Sequence, residues 1–179
     1  MSKNLNRGKK EKDVYFDLEE IKDKILLPKI SKILCDMGYD LVNLEIKKGR
    51  TINLEIEIYS KNRSISLKDC EKVSNVISRI LDIEDPIPLS YNLVVSSPGV
   101  NRKLKSLREY EIFSGCEVEV KINNFESYNL KKDLNIGVLV GVDGDIIKFN
   151  IDDREVWVDV SDIAYTKLYF DVSRYFGGM

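Results

Sequence analysis

The apolar positions fall into two successive patterns, the first mixing helical and strand periods and the second made of strands alone. Asp17 with Glu20 three residues on is an N-cap signature. Leu18, Ile21 and Ile25, then Leu26, Ile30, Ile33, Leu34 and Met37, follow at helical spacing. The stripe slips by one position around Pro28, where the ring and the missing N–H predict a kink or break. Gly38 predicts the stop. Val42, Leu44 and Ile46 then alternate, as do Ile52, Leu54, Ile56 and Ile58, around the turn Lys47-Lys48-Gly49-Arg50, which predicts a hairpin with one buried face. Ser66 with Asp69 predicts a second capped helix, buried through Cys70, Val73, Ile77, Ile80 and Leu81. Asp85-Pro86-Ile87-Pro88 ends that helix, and Tyr91, Leu93 and Val95 predict a third strand.

Pro98-Gly99 fits the central positions of a type II turn, proline presetting φ and glycine accepting a positive one. Ser106 to Glu109 opens a short capped helix that Gly115 stops. From Cys116 only short strands follow: Val118 to Ile122, Ile136 to Val142, Ile147 to Ile151, Val156 to Val160 and Ala164 to Phe170. Gly137 and Gly141 suggest a bend or a close backbone approach, and Asp143-Gly144 and Asp152-Asp153 are hairpin turns. Five short strands with tight turns predict a small closed or nearly closed barrel. The polar insertion 123–133 predicts a protruding loop.

The fold class is therefore α+β: a three-stranded N-terminal sheet with two helices, then a small β-barrel. The expected division is a disordered basic tail at 1–13, an α/β domain at 14–97, a linker and short helix at 98–115, the barrel at 116–170 and a tail at 171–179.

Composition narrows the chemistry. A hydrophobic fraction of 43% in 179 residues suffices for two small cores, and the net charge of −2 confines any nucleic-acid contact to local basic patches. Histidine is absent, which removes the usual general base and the commonest metal ligand. Cys35, Cys70 and Cys116 are far apart in the chain, each within an apolar pattern, and are expected to be small buried hydrophobes in a reducing, cytoplasmic setting. No run reaches the ~18 apolar residues of a membrane span.

Gly38-Tyr39-Asp40-Leu41-Val42, Asp69-Cys70 through Val73-Ser74, Leu81 through Asp85-Pro86-Ile87, and above all Tyr91-Asn92-Leu93-Val94-Val95-Ser96-Ser97-Pro98-Gly99 resemble the ribosome maturation factor RimP family. The resemblance runs in order over about 38–115. It implies an α/β domain joined to an SH3/Sm-like barrel and a role in ribosome biogenesis. The implied partners are the immature small (30S) ribosomal subunit, with its rRNA, and a ribosomal protein near the decoding centre. No catalysis, cofactor, metal, membrane or small-molecule substrate is implied, and a monomer is expected. The family usually continues with aspartate, arginine and proline, whereas this chain has Asn101, Arg102 and Lys103.

The residues expected to meet RNA or a partner are Ser96, Ser97, Pro98, Gly99, Arg102 and Lys103, with Lys48 and Arg50 at the hairpin tip. Arginine supplies the planar fork suited to phosphate or carboxylate. The plainer reading makes the first group a hinge and the second a solvated turn. Trp157 is either a stacking platform for a base or, as expected here, partly buried against the barrel or linker. Asp143 with Asp145, or Asp152 with Asp153, would be the ligands of a divalent-cation enzyme, but paired aspartates are ordinary hairpin chemistry. The alternative to ribosome maturation is a protein-binding adaptor that does not act on the ribosome.

Overall fold

The computed structural model describes residues 17–87 and 89–170. The expected tails at 1–13 and 171–179 lie outside the described residues.

Asp17 caps the first helix, its carboxylate accepting from the N–H groups of Glu19 and Glu20 at 3.1 and 3.2 Å. α1 (Leu18–Ile21) runs through a π-helical turn (Lys22–Leu26) into α2 (Leu27–Asp36). The predicted disturbance at Pro28 therefore lies one turn earlier. A proline ring crowds the carbonyl four residues before it, here that of Lys24, and the wider π turn relieves that crowding. The turn also carries the extra residue that re-phases the stripe. Ile25 is left exposed, while Leu26, Ile30 and Leu34 are buried. Gly38 stops α2 with a φ of +81°, and Tyr39 N–H closes on Leu34 O at 2.9 Å.

β1 (Asp40–Lys47) and β2 (Ile52–Tyr59) form the predicted hairpin, and β3 (Tyr91–Ser96) pairs parallel to β2, giving the order β1-β2-β3. The parallel step is made through α3 (Leu67–Glu84), whose Ser66–Asp69 capping box is present on both sides. Asp85 ends α3 in the left-handed region, at φ +44°. Leu54, Ile56 and Ile58 of β2 are fully buried with Val73 and Ile77 of α3, so the first core lies between sheet and helices.

α4 (Leu107–Ile112) precedes β4 (Glu117–Ile122), β5 (Asn135–Asp143), β6 (Ile146–Ile151), β7 (Arg154–Asp159) and β8 (Ile163–Leu168), all antiparallel in the order β7-β6-β5-β4-β8. The end strands β7 and β8 share no ladder among the described residues, so hydrogen bonds do not close the expected barrel. A 3₁₀ turn (Val160–Asp162) joins them instead. Bulges between Leu139 and Gly141 and at Lys121/Ile122 bend the sheet around its core. Gly137 is a close approach: a Cβ there would sit 2.4 Å from Asn150 O. Asp152 and Asp153 both adopt positive φ, 51° and 58°, the geometry of a type I′ hairpin turn. The 123–133 insertion folds back rather than protruding. It holds a 3₁₀ turn (Phe125–Tyr128), and Tyr128 donates to Asp162 at 2.6 Å.

Two side-chain expectations change. Cys35 is exposed, on the face of α2 opposite Ile30 and Leu34, and only Cys70 and Cys116 are partly buried. Trp157 is 55% exposed on the outer face of the second sheet, with the Lys148 ammonium 4.3 Å from its ring centroid. Because Val156 and Val158 face the core, strand alternation forces Trp157 outward.

Candidate functional site at the junction of the two cores

The family-like segment joins the cores, and its turn is displaced from the expected place. Gly99 does not adopt a positive φ, so no type II turn forms at Pro98-Gly99. The closing bond runs from Arg102 N–H to Gly99 O at 3.0 Å, putting Val100 and Asn101 at the centre of a turn in which neither has a positive φ. What fixes this register is the chain just beyond it. Leu104 N–H donates to Thr166 O and Leu168 N–H to Arg102 O, both at 2.9 Å, with a β-bridge between Lys103 and Lys167. Residues 102–104 are thus paired to β8 as a short extra strand.

From that anchored backbone the Arg102 side chain reaches back to the first sheet. Its guanidinium donates to Glu57 of β2 at 2.5 Å and to Glu109 of α4 at 2.7 Å. Glu109 also accepts from Lys105 N–H at 2.8 Å. Arg102 is 11% exposed at its side chain, Glu57 24% and Glu109 7%. Burial opposes the arginine's charge, but the two carboxylates more than offset it and hold its pKa above the ordinary value. Arg102 is therefore not the free phosphate-binding fork expected from the sequence: its charge is used inside the molecule, as a clamp between the cores. Tyr59 of β2 completes the contact, its ring 4.8 Å from that of Phe113 and its hydroxyl 3.1 Å from the Cys116 sulfur. Burial, then Cys116, pushes that phenol upward.

The remaining expected residues separate into two places. Ser96, Ser97 and Lys103 are exposed, and the two serine hydroxyls take no hydrogen bond from the described residues. Lys103 lies 5.2 Å over the Tyr165 ring. Ser97, Pro98 and Gly99 edge a cleft of about 470 Å³, walled by Tyr59, Ile65, Val100, Phe113, Leu168 and Phe170, with Arg63 at its rim. Lys48 and Arg50 are exposed at the hairpin tip, next to Ile52 at the start of β2, whereas Ser96 pairs with Glu57 near its end. At about 3.3 Å per residue the two groups stand roughly 15 Å or more apart along the strand.

Arg63 is held in a second network. It donates two parallel bonds to Asp69, at 2.5 and 2.6 Å, and Asp69 also accepts from Tyr39 at 2.8 Å and from the Ser66 hydroxyl at 2.6 Å. Arg63, then Ser66 and Tyr39, hold the Asp69 carboxyl far below the usual carboxylate range.

The rival metal ligands do not assemble. Asp143 is paired with Lys148 at 3.0 Å, and no group of three or more histidine, cysteine, aspartate or glutamate side chains converges among the described residues. Nor, among them, is any helix long and apolar enough to cross a membrane.

Sequence reasoning missed Glu57 and Glu109. Glu57 lies between the apolar Ile56 and Ile58 of the hairpin, where alternation gives only an outward side. Glu109 carried a signal, three residues after Ser106, but one that pointed to a helix cap and not to Arg102.

The fold and junction define a two-core α+β protein whose candidate site is a clamped inter-core segment beside an apolar cleft. The family model described as the RimP N-terminal domain matches residues 29–101, which span α2, the first sheet, α3 and the turn. Over that stretch the chain is similar to the N-terminal domain of the RimP family.

Proposed function

We propose that this chain binds the immature small ribosomal subunit and assists its assembly by binding alone, as a cytoplasmic monomer of two domains meeting at residues 98–115. The observation that carries the reading is the family match over 29–101, ending within the junction segment. The bent five-stranded sheet, with its 3₁₀ turn before the last strand, supports an SH3/Sm-like second domain. The contact surface we assign is the exposed edge Ser96, Ser97, Pro98, Gly99 and Lys103 with the adjoining cleft, facing rRNA or a ribosomal protein near the decoding centre. Lys48 and Arg50 are a second phosphate-contacting point. Arg102 enters as a positioning residue, setting the angle at which the two domains present these surfaces.

Binding favours only the state it holds more tightly, so the factor must prefer the immature particle to the finished one. Cosedimentation with fractionated ribosomal particles tests this. Recovery with free and immature small subunits is expected. Equal recovery with mature, translating ribosomes overturns the reading.

A further inference from the structure

We propose that the free edge of β3, with the acidic groove beside it, is a docking site for an extended, lysine- or arginine-bearing segment of a protein partner, bound by strand addition. Among the described residues β3 pairs with β2 on one side and with no strand on the other, and no backbone bond joins its outer N–H and C=O groups to another segment. Edge strands are normally blunted by charged side chains, proline or a bulge. Tyr91–Ser96 carries no charge and no proline, its ladder with β2 runs without a register shift, and Val94 is 44% exposed. An unprotected edge of this kind is a template for an added strand.

The groove states the chemistry of the added strand. A cleft of about 450 Å³ between α3 and β3 has Ile87, Leu89 and Leu93 along its apolar part and Asp82 and Asp85 on its wall. Glu84, at the end of α3, is neutralised by Lys29. Asp82 takes only a hydroxyl bond from Ser78, at 3.4 Å, and neither aspartate has an ion-pair partner among the described residues. Burial, together with these two carboxylates, raises the Tyr91 phenol pKa.

A strand added to β3 directs alternate side chains over the groove. Lysine and arginine fit it in both halves, the aliphatic stem on the leucines and the cationic head at the aspartates. A nucleic-acid backbone meets two uncompensated negative charges there, so the surface favours a protein segment over RNA. The groove has this character whether or not the chain acts on ribosomes.

The test titrates the full chain with a short peptide of alternating lysine and valine, followed by calorimetry and amide hydrogen exchange. A glutamate–valine peptide and a single-stranded RNA oligonucleotide serve as comparisons. The basic peptide is expected to protect alternate amides within Tyr91–Ser96. Asp82→Asn combined with Asp85→Asn is expected to weaken it about five- to twenty-fold. Asparagine tolerates the left-handed φ at position 85, and an unchanged melting temperature establishes that the variant is folded. Protection that is absent from β3, binding unchanged in the double variant, or the same protection from RNA or the acidic peptide overturns the proposal.

Discussion

Replacing Arg102 by alanine tests whether the junction is a clamp or a partner contact. The substitution removes two charge-assisted hydrogen bonds, to Glu57 at 2.5 Å and Glu109 at 2.7 Å. It leaves Glu109, 7% exposed, with Lys105 N–H as its remaining close partner. Breaking a fully buried pair by removing one member costs about 3–5 kcal/mol. Two features reduce that here. Glu57 is 24% exposed and can rehydrate, and Arg102 Nε is itself buried without a partner, a penalty of roughly 1 kcal/mol that the variant no longer carries. The expected net loss is about 2 kcal/mol, which in a protein of this size lowers Tm by about 4–8 °C.

Glu57→Gln separates the two arms of the clamp. Arg102 keeps Glu109 and can still donate to the amide oxygen, so the stability loss falls to about 1 kcal/mol. The bond across the junction is the weakened one, so residual dipolar couplings of the two sheets should cease to fit a single alignment frame. Calorimetry and couplings on both variants decide the matter. If Arg102→Ala leaves Tm and couplings unchanged, the clamp carries no free energy and the reasoning fails. If particle binding is lost while both stay unchanged, Arg102 acts by direct contact and the positioning role is wrong.

Gly99→Ala is expected to leave the unfolding free energy within about 0.5 kcal/mol of the parent's, since Gly99 lacks a positive φ and a Cβ there has nothing within 4 Å; a large loss in denaturant unfolding would point back to a type II turn. Gly137→Ala, with its Cβ 2.4 Å from Asn150 O and 2.6 Å from Ile151 Cγ1, should destabilise by about 3 kcal/mol, and denaturant unfolding that shows no change refutes the close approach. Asp69 has a lowered pKa in the folded state, so the stability it contributes is complete above its unfolded value of about 3.9 and is lost as pH falls through the folded value. Asp69→Asn should therefore flatten the acid limb of the stability curve below about pH 4; an acid limb identical to the parent's counts against the Arg63–Asp69 network.

What was legible in the sequence was whatever neighbours in the chain decide. Period-two runs gave the strands, Ser66 with Asp69 gave a complete capping box, and Asp143-Gly144 and Asp152-Asp153 gave hairpins. The errors lie where a distant group intervenes. Pro-Gly chemistry alone favours a type II turn, but pairing of 102–104 with β8 moved the turn onto Val100 and Asn101. Pro28 predicts a disturbance and one is present, but it falls in the preceding turn, where the crowded carbonyl lies. Arg102 reads as a free fork in the sequence because its acceptor Glu57 lies 45 residues earlier, on a strand whose alternation gives only a side and no partner. Cys35 shows the same limit within one helix, where a single-residue change of phase separates core from solvent.

The clamp changes what the junction segment can contribute to binding. One end is fixed as β3 on the first sheet and the other as the Lys103–Lys167 bridge on the second, so only residues 97–101 span the gap. A loop held at both ends has little conformational freedom left to lose on association, and ordering of loops and side chains is a principal cost of binding. Ser97, Pro98, Gly99 and Val100 edge the cleft from such a loop. Their affinity for a partner should then depend on Arg102 through pre-organisation, without the guanidinium touching the partner at all. Departures from the family's usual residues at Asn101 and Lys103 fit this division of labour. Asn101 is exposed at the turn, and Lys103 keeps its backbone bridge whatever its side chain is, so the clamp survives both changes.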